Sequence, residues 1–152
     1  MDRLAEMVEA QRQFQDKLGH DFTAMNDRDR IAYVKEMYIA AVQELGEALS
    51  EVSWKSWAAG DAQFGAAAFV CELSDTWQFI TNMWFAALPD MTPEFIAGAM
   101  HTTLMSKLRI DYTRIDKGYD GVSTKCRRCK RALDDTNVHC TADKCDVGPY
   151  LS

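Results

Sequence analysis

From Leu4 to Ile115 the apolar residues of this chain recur at three- and four-residue intervals, a spacing that buries on one side only when the backbone is helical. The first 25 residues read as one helix, with Leu4, Met7, Val8, Ala10, Gln11, Phe14 and Leu18 on its inner side and Gly19-His20 closing it. Asn26-Asp27-Arg28-Asp29 is a loop rich in capping residues, and from Ile31 a second helix runs through Tyr33, Val34, Met37, Ala41, Leu45 and Leu49 into Trp54-Lys55-Ser56-Trp57. After a break at Ala59-Gly60-Asp61, a third helix begins near Ala62 and carries Phe69, Leu73, Trp77, Ile80, Met83 and Trp84 as far as Pro89-Asp90. Thr92-Pro93-Glu94 then opens a fourth, over about residues 93–115, with proline in the first turn where its missing N–H costs nothing. No short alternating run of β-branched residues precedes Gly121. The expectation is an all-α helical bundle of four to five helices with a small C-terminal zinc-binding tail, divided as residues 1–121 and 122–152.

Composition narrows the function classes. A hydrophobic share of 47% against 26% charged excludes a disordered chain, and a net charge of −6 disfavours a basic nucleic-acid binder. The charge is uneven: residues 1–121 hold 11 basic and 19 acidic side chains, residues 122–152 hold 6 and 4, so the tail differs in kind. Asp2, Arg3, Glu6 and Glu9 stand where a signal peptide needs an apolar run, and no stretch is long and apolar enough to span a membrane. No membrane association is expected, and the protein is read as cytoplasmic.

Four of the five cysteines fall within residues 126–145. Cys126, Cys129, Cys140 and Cys145 form two close pairs, the arrangement of a tetrahedral structural Zn²⁺ site, with His139 as an alternative ligand beside Cys140. The fifth, Cys71, is read as a small buried apolar residue. Lys125, Arg127, Arg128, Lys130 and Arg131 open a rival reading, a non-catalytic zinc-ribbon module that binds nucleic acid or a partner on a helical scaffold. The modest charge of the tail and the lack of aromatic residues between its cations argue against that rival.

The strongest chemical signal is two acidic pairs, Glu44-Leu45-Gly46-Glu47 and Glu72-Leu73-Ser74-Asp75. Residues three apart on a helix project to one side, so each pair forms a single acidic patch. Ala41, Leu45 and Ala48 flank the first pair and Val70, Leu73 and Phe79 the second, which places the carboxylates at the edge of an apolar surface. Four carboxylates converging there repel one another unless divalent cations intervene, and an oxygen-only donor set suits Mg²⁺ or Mn²⁺. Gln11 and Asn82 carry amides able to read a base or sugar, and Lys55, Lys107, Arg109 and Arg114 are cations available to phosphates. Trp54 and Trp57 are read as packing residues of the core or of a lid.

The two acidic pairs with 24 residues between them, Met7 with Gln11, Trp54-Lys55-Ser56-Trp57, Phe79 with Asn82, and Lys107, Arg114, Gly118 and Tyr119 together resemble the MazG-like all-α nucleoside triphosphate pyrophosphohydrolases, closest to the dimeric, phage-type dUTPases. The resemblance covers about residues 1–121. It implies hydrolysis of a (deoxy)nucleoside triphosphate to monophosphate and pyrophosphate, with Glu44, Glu47, Glu72 and Asp75 as ligands of Mg²⁺ or Mn²⁺ and Glu47 as the general base. It also implies substrate contacts from Gln11, Lys55, Asn82, Lys107 and Arg114, a homodimer or higher homo-oligomer, and the host cytoplasm if the chain is phage-encoded. Three positions depart from the family pattern: Gln78 replaces a histidine, Asp111 an asparagine and Ile115 a glutamine. dUTP is the favoured substrate. (d)GTP is the alternative, because the Asp111 carboxylate could accept from the N1–H and amine of guanine, as a modified-nucleotide pathway of a phage would use.

Overall fold

A computed structural model describes residues 2–55, 57, 60–116 and 118. Among them are four helices, α1 (Arg3–Lys17), α2 (Asp27–Ser50), α3 (Ala66–Ala87) and α4 (Pro93–Asp116), and no strand beyond one isolated antiparallel bridge between Val52 and Phe64. The all-helical reading agrees with this. The Cys126, Cys129, Cys140 and Cys145 site and the boundary at 121/122 lie outside the described residues. By internal packing the chain divides into Met1–Met100 and His101–Ser152.

Local chemistry explains the helix limits. Asp2 accepts from the Leu4 N–H, and Asn26 accepts from the N–H groups of Arg28 and Asp29, so α1 and α2 each start on a side-chain cap. Gly19 leaves α1 at φ +85°, a conformation that L side chains rarely adopt. The chain then turns on Asp21, whose carboxylate accepts from Thr23 Oγ1 and from the N–H groups of Thr23 and Ala24. Those bonds, the Thr23 hydroxyl first, hold Asp21 below its usual carboxylate range.

Four expected limits shift: α1 ends at Lys17 although the first 25 residues read as one helix, α2 begins at Asp27 instead of Ile31 because the Asn26 side chain caps it directly, and two limits of the α2–α3 connection move. α2 stops at Ser50 instead of reaching Trp54, and α3 starts at Ala66 instead of near Ala62. The intervening backbone pairs with itself: Ser53 N–H donates to the Gln63 carbonyl at 2.9 Å, the Gln63 N–H donates to Ser53 Oγ at 2.8 Å, and Gly65 N–H donates to the Glu51 carbonyl at 2.8 Å. These bonds take groups that a longer helix would need. Gly65 caps α3 without a side chain, and a Cβ there would lie 3.1 Å from Glu51 Oε2, so glycine lets the end of α2 close on the start of α3.

The core of Met1–Met100 gathers Ala5 and Val8 of α1, Phe22 of the first loop, Tyr33 of α2, Phe85 and Ala86 of α3, and Ile96 and Ala97 at the start of α4. Phe22 is fully buried against Tyr33 and Phe85, at ring-centroid distances of 5.3 and 5.5 Å. Removing a side chain of that size from water contributes about 1.5–3 kcal/mol. Arg12 closes the cluster, its guanidinium 5.0 Å from the Phe22 ring and 5.3 Å from the Phe85 ring, with Asp16 at 3.5 Å. Its Nη1 is buried without a hydrogen-bond partner, so attraction to the two rings offsets part of the desolvation. Among the described residues no helix is long and apolar enough to cross a membrane.

Candidate active site

Helices α2 and α3 are the main packed pair, and named contacts give their direction. Glu44 meets Asp75, while Met37, seven residues earlier, meets Asn82, seven residues later, so the two helices run antiparallel. One oxygen from each of Glu44, Glu72 and Asp75 lies within 4.8 Å of the others, and all three residues are partly buried. None takes part in the salt bridges found among the described residues. Burial, the Glu47 charge, a hydrogen bond shared with Glu72, and the charges of Asp75 and Glu72 raise Glu44 above its usual carboxylate range. A cluster of hard oxygen donors whose charges oppose one another is a donor set that Mg²⁺ or Mn²⁺ would satisfy.

Glu47 lies outside that trio. It is exposed, accepts from Gln43 Nε2 at 3.1 Å, and is still close enough to repel Glu44. Gln78, the residue in place of a histidine, donates from Nε2 to Asp75 Oδ1 at 2.8 Å and leaves the other carboxylate oxygen for a ligand.

Glu44 and Asp75 of the trio face a cleft of about 330 Å³ lined by Gln11, Phe14, Gln15, Leu18, His20, Met37, Glu44, Asp75, Gln78, Phe79 and Asn82. That volume lies at the low end for small-molecule sites. Gln11 and Asn82, both expected to contact substrate, face one another here, Gln11 Nε2 donating to Asn82 Oδ1 at 2.9 Å. Met37 and Glu44 on α2, like Asn82 and Asp75 on α3, are two helical turns apart, about 10 Å along the axis. The cleft thus has a carboxylate end and an amide end.

The other expected contacts are not among the residues that line the cleft. Lys55 sits on the loop after α2, its Nζ 5.4 Å from the centre of the Trp54 ring. Trp54 and Trp57 pack edge to face at 5.8 Å and are 49% and 74% exposed, so neither belongs to the core. Cys71 is exposed as well, which corrects its reading as a buried residue. Of the apolar neighbours expected beside the carboxylates, Ala41 and Ala48 are buried, whereas Leu45, Val70 and Leu73 are exposed. On α4, within His101–Ser152, Lys107 and Arg114 both donate to Asp111 Oδ1, at 2.9 and 3.3 Å. Lys107 foremost, then Arg114, holds Asp111 below its usual range against a smaller opposing effect of burial.

Sequence reasoning missed Gln15, His20 and Met37 as cleft residues. Gln15 left a trace, since it stands one helical turn after Gln11 and so shares its face. No curated protein and no solved structure matches the chain. The family model described as dUTPase matches residues 3–119, a span that takes in all four helices and both ends of the cleft, and the chain therefore belongs to the dUTPase family, within the all-α MazG-like superfamily.

Proposed function

We propose that the protein is a divalent-cation-dependent diphosphohydrolase that converts dUTP to dUMP and pyrophosphate. The observation that carries this reading is the cleft itself, with Glu44, Glu72 and Asp75 clustered at one end and Gln11 and Asn82 at the other. Glu44, Glu47, Glu72 and Asp75 are the proposed ligands. When bound, Mg²⁺ or Mn²⁺ supplies charge neutralisation along the phosphates and makes water a better acid. The base and sugar occupy the amide end, which sets the α-phosphate against the acidic end. Water attacks the α-phosphorus, the bond to the bridging oxygen breaks, and pyrophosphate leaves. Glu47, exposed beside the trio, takes the proton from that water. Lys55, Lys107 and Arg114 are proposed to meet the remaining phosphate charge. Asp111 Oδ1 already accepts from two cations, which weighs against guanine as the base.

Pyrophosphate release from a panel of ribo- and deoxynucleoside triphosphates tests the reading. The expected result is metal-dependent turnover, fastest with dUTP and stopped by EDTA. Release from none of them would remove the proposal, and a tenfold preference for dGTP would move the substrate to a purine, since tenfold is about 1.4 kcal/mol of discrimination.

Two properties accompany this reading. Tyr38, Ile39, Val42, Leu45 and Leu49 on α2 are all exposed, and covering them supports a homo-oligomer, a dimer in the simplest case. Cys126, Cys129, Cys140 and Cys145 are proposed to hold one structural Zn²⁺. Sedimentation and elemental analysis of protein purified without chelator check both. A monomer at micromolar concentration would exclude the first and absence of zinc the second.

A further inference from the structure

The cleft has a far wall. Along α2, Glu44 marks the acidic end and Met37 the amide end, and Tyr33 stands a further helical turn on, about 6 Å along the axis. Side chains on a helix lean towards its N-terminus, so the Tyr33 ring lies beyond Met37 as seen from the carboxylates. Its hydroxyl donates to Gln15 Oε1 at 3.0 Å, which ties it to the cleft lining. Against the Tyr33 ring, at a centroid distance of 5.2 Å, packs the imidazole of His20, and His20 itself lines the cleft. His20 therefore stands at the amide end, remote from Glu44, Glu72 and Asp75.

A wall selects by size only where it does not yield, and this one is held from several sides. The His20 N–H donates to the Gln15 carbonyl at 3.2 Å. Gly19 turns the chain just before it at φ +85°, and just after it the Asp21 carboxylate accepts from Thr23 and Ala24. The imidazole is backed by Tyr33, 5% exposed, and lies 6.2 Å from the ring of Phe22, which is fully buried. Both rings belong to the core of Met1–Met100, so moving His20 back means displacing closely packed side chains. Among the described residues the imidazole makes ring contacts and no hydrogen bond, so its place is fixed by packing.

A purine is a pyrimidine ring with a five-membered ring fused to it, and the His20 side chain ends in a five-membered ring. A base seated at the amide end of this cleft of about 330 Å³ has His20 across its path away from the phosphates. We propose that His20 is a specificity residue that admits a single-ring base and excludes a fused one. It acts by occupying the space that the second ring of a purine needs, and it sets the class of base without choosing between pyrimidines. The inference rests on the nucleotide reading of the cleft.

The test is the ratio of kcat/KM for dUTP to that for dGTP and for dATP, in the native protein, His20→Ala and His20→Phe. Alanine frees the room of one ring, so both ratios are expected to fall about tenfold in that variant, chiefly through better use of the purines. Phenylalanine keeps a ring in place, and its ratios are expected to stay within threefold of native. A role in stability alone would lower all the constants together and leave the ratios where they are. That result overturns the proposal, and so does a fall in His20→Phe as large as in His20→Ala, because polarity and not size would then be the cause. Calorimetric binding of deoxyuridine against deoxyguanosine to the native protein in EDTA reads the same selection without metal, turnover or a variant. Deoxyuridine is expected to bind at least tenfold more tightly, and equal affinities overturn the proposal. Native protein that prefers dUTP while His20→Ala keeps its ratios defeats this inference alone. Native protein that releases pyrophosphate from no nucleotide defeats the functional reading beneath it.

Discussion

Glu44→Gln is expected to lower kcat/KM by about 10³-fold or more and, in the same protein without metal, to raise the melting temperature at neutral pH. The first effect follows from losing an anionic ligand where charge neutralisation contributes several kcal/mol to the barrier. The second follows from the direction of the Glu44 shift. Its pKa in the folded protein lies above the unfolded value, so the folded state binds more protons between the two. That contribution is fully present below the unfolded pKa and is lost as pH rises through the folded pKa. At neutral pH the native protein therefore carries the whole of the repulsion, and the amide removes it. The difference between variant and native protein should shrink as the solution is acidified through the carboxylate range. Magnesium should stabilise the native protein by about 2.7 kcal/mol at a hundredfold excess over Kd, roughly 5–10 °C for a chain of this size, and the variant by much less. Thermal melts with and without EDTA, at neutral and acid pH, read all of this. A metal-free variant less stable than native at neutral pH would contradict the account of Glu44.

Glu47→Gln is expected to reduce kcat by about 10²–10⁴-fold, the usual contribution of a positioned base, with KM changed far less. Glu44, Glu72 and Asp75 crowd one another, whereas Glu47 is exposed and stands level with Glu72 on the antiparallel partner helix. Gln43 fixes Glu47 Oε1 and leaves its second oxygen to meet water. A glutamine keeps that contact and the shape but accepts no proton at neutral pH. Steady-state kinetics with dUTP separates the alternatives. A variant with native kcat and raised KM would make Glu47 a contributor to uniform binding instead of a base.

The fold was legible wherever one side of a helix is apolar and its ends carry a recognisable cap. Pro93 marked its helix closely, whereas the capping cluster at Asn26 was read as loop as far as Asp29 although α2 begins at Asp27, and the two acidic pairs were visible because three-residue spacing on a helix is itself a geometric statement. The gaps have physical causes. α2 ends at Ser50 because Ser53 and Gln63 bond to each other across the loop, a non-local pairing that no propensity at Val52 or Ser53 reports. Cys71 was assigned inward by residue type, and Trp54 and Trp57 to the core or a lid, yet a helix pair leaves exposed apolar surface that only a further surface can cover. Gln15 and Met37 escaped notice for a different reason. A pattern that sorts residues into apolar and polar counts Met37 as packing and Gln15 as exterior, whereas the first is a hydrogen-bond acceptor in the cleft and the second is almost wholly buried.

The antiparallel register of α2 and α3 also makes the cleft a ruler. Its two ends are fixed by the same seven-residue step on both helices, Glu44 to Met37 and Asp75 to Asn82, so the distance from the acidic end to the amide end is set by helical rise and not by a loop. A loop can lengthen without changing that distance. A residue added within either step rotates one end by about 100° against the other and takes its side chains out of the cleft. Insertions between Ser53 and Gln63 should therefore be far better tolerated than any between Met37 and Glu44, because the turn can absorb added length without moving either end of the cleft.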